Sequence, residues 1–157
     1  MKLDGHVALE VGSESKLTLD HLKNYIASAL IQEEAKSVDT EEDKINFKVG
    51  VFRPFANWKI LACISSGIIM MRSEKNFIHV NYQLSFKHLI IIATLMVVLI
   101  FLLDLNGFVA SPFKLLFLIF GWGWLVFGNI ITVAFRFPRF INKCASNAGK
   151  IEYIKFV

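Results

Sequence analysis

The 157-residue chain is poor in charge, cysteine and proline: 19% of its residues are charged, two are cysteine and three are proline. Two cysteines cannot staple a small secreted scaffold, and Cys63, in a predicted strand, and Cys144, in the tail, read as free thiols in a reducing compartment. The four histidines, His6, His21, His79 and His88, show none of the short paired spacings of a metal site, so no metal is expected. Ser65-Ser66-Gly67 lacks the flanking glycine and strand-to-helix setting of a nucleophile elbow, and the chain has no glycine-rich phosphate loop. The sequence therefore predicts neither a catalytic residue nor a cofactor. Met1–Leu19 is polar, without the apolar core of a signal peptide.

What the chain does have is apolar length, since 55% of it is hydrophobic and the excess falls between Leu89 and Phe137. Leu89–Leu103 is an uncharged run of 15 residues. As a helix it measures about 22 Å, short of a ~30 Å hydrocarbon core. Extension lets Lys87 and His88 snorkel at one interface while Asp104 reaches water at the other. Leu115–Phe135 runs 21 residues without a charge and is long enough outright. Asp104-Leu105-Asn106-Gly107 and Ser111-Pro112 supply turn chemistry between the runs. The pattern predicts a transmembrane hairpin with spans at about 87–105 and 113–135. A buried helical pair would need more surrounding protein than so short a chain provides.

Charge patterning gives the orientation. Up to Phe86 ten basic residues meet eleven acidic ones, whereas from Lys87 onward seven basic residues meet only Asp104 and Glu152. This basic excess flanks the apolar runs and forms no patch on a folded face, so nucleic acid is not an expected partner. Arg72, Lys75 and Lys87 precede the first run, and Arg136, Arg139, Lys143 and Lys150 follow the second. The positive-inside rule then predicts an inner-membrane protein with both termini in the cytoplasm.

The first 86 residues read as a soluble module. Val7–Val11 alternates as a strand, and Thr18 is an N-cap with Leu17 and Leu22 as a hydrophobic staple. Leu19, Leu22, Tyr25, Ile26, Ala29 and Leu30 line one face of a helix reaching about Ala35. Asp39–Asp43 reads as a solvated loop. A two-residue period follows at Ile45, Phe47, Val49 and Val51, then at Trp58, Ile60, Ala62 and Ile64. Ser65-Ser66-Gly67 makes a bulge or corner before Ile68–Met71, and Ile78, Val80, Tyr82, Leu84 and Phe86 alternate again. The expected fold class is α+β. It comprises a small cytoplasmic two-layer module of one helix on an antiparallel sheet (1–86), the two-helix transmembrane hairpin (87–137) and a cytoplasmic juxtamembrane tail (138–157). In that tail Ile151–Val157 alternates like a strand.

This order, with the stretch Phe52–Phe86, Gly67 within it, and the closing Arg136-Phe137-Pro138-Arg139-Phe140, resembles small bacterial membrane proteins in which a strand-helix-sheet module precedes two hydrophobic helices. The resemblance implies a bacterial source and that architecture, and carries no activity.

Thr94 in the first run and Asn129 and Thr132 in the second are polar groups that should face each other or another copy of the chain. Gly121 and Gly128 share a face with Thr132, and with Ala93 they would allow close helix approach. Lys87, Arg136, Arg139 and Lys143 are placed for lipid headgroups, anionic ones included, with the rings of Phe135–Phe140 between them. These features suit an integral membrane anchor or scaffold that displays a cytoplasmic interaction module as a subunit of a larger assembly. Its partners would be the bilayer and a protein partner or a second copy. An oligomeric pore-forming or membrane-perturbing effector and a lipid-handling module are the alternatives.

Overall fold

A computed structural model describes residues 1–10, 18–50, 60–74, 77–103 and 112–154. Elements follow in the order β1 (Lys2–Glu10), α1 (Leu19–Gln32), β2 (Ser37–Thr40), β3 (Lys44–Lys48), β4 (Ser66–Glu74), β5 (Phe77–Ser85), α2 (Lys87–Leu103) and α3 (Pro112–Ile154). The strands form one antiparallel sheet in the order β1-β5-β4-β3-β2. The α+β class is thus observed, with five strands and a long apolar C-terminal helix.

Alternation dictates which face of the sheet is covered. Ile45 and Phe47 of β3, Ile69 and Met71 of β4, and Ile78, Val80, Tyr82 and Leu84 of β5 are all buried, and the residues between them are not. Leu22, Ile26 and Leu30, four residues apart on α1, are fully buried against that face. Thr18 caps α1 as expected, its side chain accepting the His21 N–H at 3.4 Å; Leu17, its expected staple partner, lies outside the described residues. The helix stops at Gln32, a turn short of the expected Ala35. The Ala35 N–H reaches the Leu30 carbonyl and the Glu34 N–H the Ile31 carbonyl, with Glu34 at φ 66°, which is a Schellman ending.

Two glycines admit aromatic rings into the core. Gly67 pairs with Phe47 across β3 and β4, and Gly5 pairs with Tyr82 across β1 and β5. A Cβ at Gly67 would collide with the Phe47 ring, and one at Gly5 would collide with the Tyr82 ring. Each ring folds over the bare backbone opposite, giving an aromatic side chain a place in a thin two-layer core.

The structure corrects several expectations. Asp39 and Thr40, read as the start of a solvated loop, belong instead to an edge strand, Ser37–Thr40, paired with β3. Ile60–Cys63 is a turn and does not continue a strand; Trp58 lies outside the described residues. Ile151–Ile154, read as the start of a strand, is helical: α3 continues without a break through the apolar run to Ile154, and residues 155–157 lie outside the described residues. Pro138 sits inside α3, where it forfeits one backbone hydrogen bond. The helix persists because Phe137, Ile141, Cys144 and Ala148, at helical spacing, are all buried where α3 packs on α1 and β1. Among the described residues α3 alone is long and apolar enough to cross a membrane, over Leu118–Gly149, while α2 is a shorter apolar helix of 17 residues.

Candidate functional site

The features that couple the sheet to the apolar helices converge at one place, where β5 passes into α2. The strand ends at Ser85, and α2 begins two residues later with Phe86 fully buried between them. Three backbone bonds clamp this joint: Phe86 N–H to Met1 O at 3.3 Å, Ser65 N–H to Ser85 O at 2.7 Å, and Ile90 N–H to Phe86 O at 3.2 Å. The first turn of a helix leaves N–H groups without partners, and Phe86 has no side-chain oxygen to cap them. Ser65 does so from a distance of 23 residues in sequence, its Oγ accepting the His88 N–H at 2.7 Å. Ser65 is buried, and no apolar residue could replace its hydrogen bond.

The same turn holds α3. Cys63 Sγ donates to Asn129 Oδ1 at 3.1 Å, and Asn129 Nδ2 donates to its own helix at Leu125 O, 2.6 Å away. Further along, Trp122 Nε1 donates to Thr94 Oγ1 at 3.3 Å, joining α3 to α2. Thr94 Oγ1 in turn donates to Ile90 O at 2.8 Å. Thr132 turns back onto Gly128 O at 2.8 Å. Within the single chain these polar groups do not meet one another: Asn129 contacts the sheet module, Thr94 contacts Trp122, and Thr132 turns onto its own helix. Ala93 is buried where the helices meet. Gly121 and Gly128 are not at that contact: a Cβ at either would have no described atom within 4 Å.

Among the residues read as headgroup contacts, Lys87, Arg139 and Lys143 are exposed and Arg136 is half-buried and engaged in an interaction. Phe137, read as an interfacial ring, is instead in the core, 4.8 Å from the Tyr82 ring centroid and tilted by 55°. Cys144 lies on the stretch of α3 that packs on α1, and burial pushes its thiol up to about 12. Burial also raises the half-buried Cys63 thiol. Both sulfurs are held as neutral thiols, the form that is neither a nucleophile nor a metal ligand.

The second face of the sheet carries Lys2, Asp4, His6, Asn81, Gln83 and Arg72, with Met70 and Phe77 exposed among them. Antiparallel pairing brings together two histidines that are 73 residues apart: His6 Nε2 lies 3.0 Å from His79 Nδ1, and the rings stack at 5.3 Å. Glu74 Oε2 is 3.8 Å from His79 Nε2. Among the described residues no group of three or more His, Cys, Asp or Glu is placed to hold a metal ion.

Sequence reasoning missed Ser65 as a cap, Cys63 as the partner of Asn129 and the His6–His79 pair. Each depends on contacts between distant segments, and no local signal marks them. The packing of the α3 tail did leave a signal, the spacing of Phe137, Ile141, Cys144 and Ala148. Comparisons with known protein families, curated proteins and solved structures find no match for this chain.

Proposed function

We propose that the chain is an integral membrane anchor that holds a small α+β module rigidly against the cytoplasmic face of the inner membrane and presents the module's open sheet face to a protein partner. The observation that carries this reading is the distribution of exposed apolar side chains. Of twenty exposed large hydrophobic residues among those described, sixteen lie on α2 and on α3 up to Phe135, including Leu95, Phe101, Leu116, Phe120 and Trp124. Each is about half exposed, so removing it from water is worth roughly 1 kcal/mol, and sixteen together make a surface that needs a cover. A helix of a soluble core would be mostly buried, yet only 17% of the most apolar window of α3 is buried.

In this reading α2 and the first part of α3 form two antiparallel spans, and their flanking cations set both termini in the cytoplasm. At 17 residues α2 measures about 25 Å, which a bilayer accommodates by local thinning and snorkelling of Lys87. The capped β5–α2 joint and the Cys63–Asn129 bond tie the module to both helices, so the module has little freedom to swing. The space between sheet and α1, where a lipid-handling module would carry its ligand, is occupied by Leu22, Ile26, Leu30, Phe47 and Ile69.

The test is purification of the full chain from native membranes in nanodiscs after photo-crosslinking from position 81 on the open face, read by mass spectrometry. The anchor reading expects the chain to resist alkaline extraction and to carry a reproducible cross-linked partner. A closed homo-oligomer with no other chain would favour the membrane-perturbing alternative, and release by alkaline extraction would overturn both.

A further inference from the structure

Charge is sorted along the strands. Across the sheet the residues nearest the β5–α2 joint form one row, Lys2, Ser85, Ser66, Lys48 and Ser37, successive partners in the register. Lys36 adjoins this row through its N–H to Lys48 O at 2.8 Å, and Lys87 follows two residues after Ser85. Lys2, Lys36, Lys48 and Lys87 are all exposed, with Lys2 Nζ donating to the neutral Gln83 Oε1 at 3.0 Å. Glu34, the acid nearest Lys36 in sequence, already has an interaction of its own. The opposite end of the sheet holds Glu10 and Glu74 on either side of Phe77, with Glu41, Glu42 and Asp43 in the adjoining β2–β3 turn. There Lys23 and Lys44 are paired with Asp20 and Glu41.

We infer that the lysine row at the joint end of the sheet, Lys2, Lys36, Lys48 and Lys87, is a binding rim for the headgroups of anionic lipids. The inference rests on the membrane-anchor reading above, because α2 leaves the sheet at this end and carries it to the bilayer surface. Three of the four lysines come from β1, the segment before β2, and β3, segments remote in sequence from the apolar runs, so hydropathy and flanking charge give no hint of them. Primary ammonium groups on flexible stems suit phosphate as point charges, without a need for fixed bidentate geometry. Their long stems also reach from the last row of the strands to the headgroup plane. Tilting the sheet would bring the acidic far end within a Debye length of the same surface, where it is repelled, so the two ends together favour upright strands with the open face clear of the membrane.

The test uses the full chain with phosphatidylglycerol and phosphatidylcholine. Flotation with vesicles of each lipid reports insertion, and native mass spectrometry of the chain in micelles, titrated with each lipid, reports headgroup preference. The wild-type chain is expected to float with both vesicles and to bind phosphatidylglycerol in preference. The double variant Lys36→Gln/Lys48→Gln should still float, with its phosphatidylglycerol affinity lowered roughly 25-fold, at about fivefold for each lysine near an anionic surface. A variant with two charges removed at the far end, Lys44→Gln/Arg72→Gln, should keep the wild-type affinity. Equal loss in the two variants, or no loss in the first, would overturn the rim while leaving the membrane reading intact. A wild-type chain that floats with neither vesicle would overturn the membrane reading and the rim with it.

Discussion

The Ser65 hydroxyl accepts the His88 backbone N–H at 2.7 Å, so a buried side chain in front of β4 caps a helix that starts 22 residues later, after β5. This bond joins the backbone bonds at the joint in holding α2 against the sheet, because Ser65 is itself anchored by its own N–H on Ser85 O.

Ser65→Ala should therefore cost about 1–2 kcal/mol, the loss of a cap together with a buried donor left unpaired. Reversible unfolding of the full chain in detergent should show the loss, with cleavage at the β5–α2 joint by added protease rising in parallel. Unchanged stability would mean that water replaces the hydroxyl and that the cap carries no weight.

Gly5→Ala should be more damaging than its size suggests, because the new methyl would lie within the Tyr82 ring, which in turn packs on Phe137. Displacing that ring is an overpacking change, worth about 1–3 kcal/mol. In the double variant Gly5→Ala/Tyr82→Ala the clash disappears, so the two substitutions should be clearly non-additive in a double-mutant cycle. Additive losses would contradict the contact.

Asn129 and Cys63 form a pair that a cycle can also isolate. Asn129→Leu should leave insertion intact and cost up to ~1 kcal/mol, and the same substitution in a Cys63→Ala background should cost less. The thiol is a weak donor, so the coupling is expected to be a few tenths of a kcal/mol. A full-sized Asn129→Leu effect without Cys63 would show that Asn129 acts elsewhere, for instance on a second copy.

Buried thiols make the fold sensitive to alkali. Burial raises Cys144 to about 12 and also raises Cys63 and Tyr82. The folded state then holds its protons where the unfolded chain releases them. The stability this contributes is complete below the unfolded thiol value of 9.0 and is lost as pH rises toward about 12. Unfolding midpoints should fall over that window, and maleimide should label neither cysteine fast at neutral pH until the chain is denatured. Rapid labelling of the folded protein at Cys144 would contradict its place between α3 and α1. A reporter for topology belongs instead at an exposed position such as Ser146→Cys.

Much of this architecture is legible in the sequence because it rests on local periodicity. Thr18, the apolar face of α1, the alternation of Ile45 and Phe47 and of Ile78 to Leu84, and the uncharged runs all declare their elements within a few residues. Ser37-Val38-Asp39-Thr40 does not, since a four-residue edge strand with a single apolar side chain has no period to read. Pro138 likewise points to a break in α3, which the burial of Phe137 and Ile141 on either side of it overrides. The candidate site was the least legible part. Ser65, Cys63 and the lysine row acquire their roles only when β4, β5, β1 and β3 pair, and those pairings join residues tens of positions apart.

Trp124 offers the most direct test of the membrane claim, because it is 74% exposed in the single chain at the centre of the α3 apolar surface. The full chain should be reconstituted into vesicles whose acyl chains carry bromine, and its tryptophan emission recorded with and without aqueous iodide. The account expects strong quenching by bromine, most of it removed by Trp124→Phe, and little effect of iodide on what Trp124 contributes. Quenching of Trp124 by iodide with none by brominated chains would place this surface in water or under a protein partner, and would contradict the anchor.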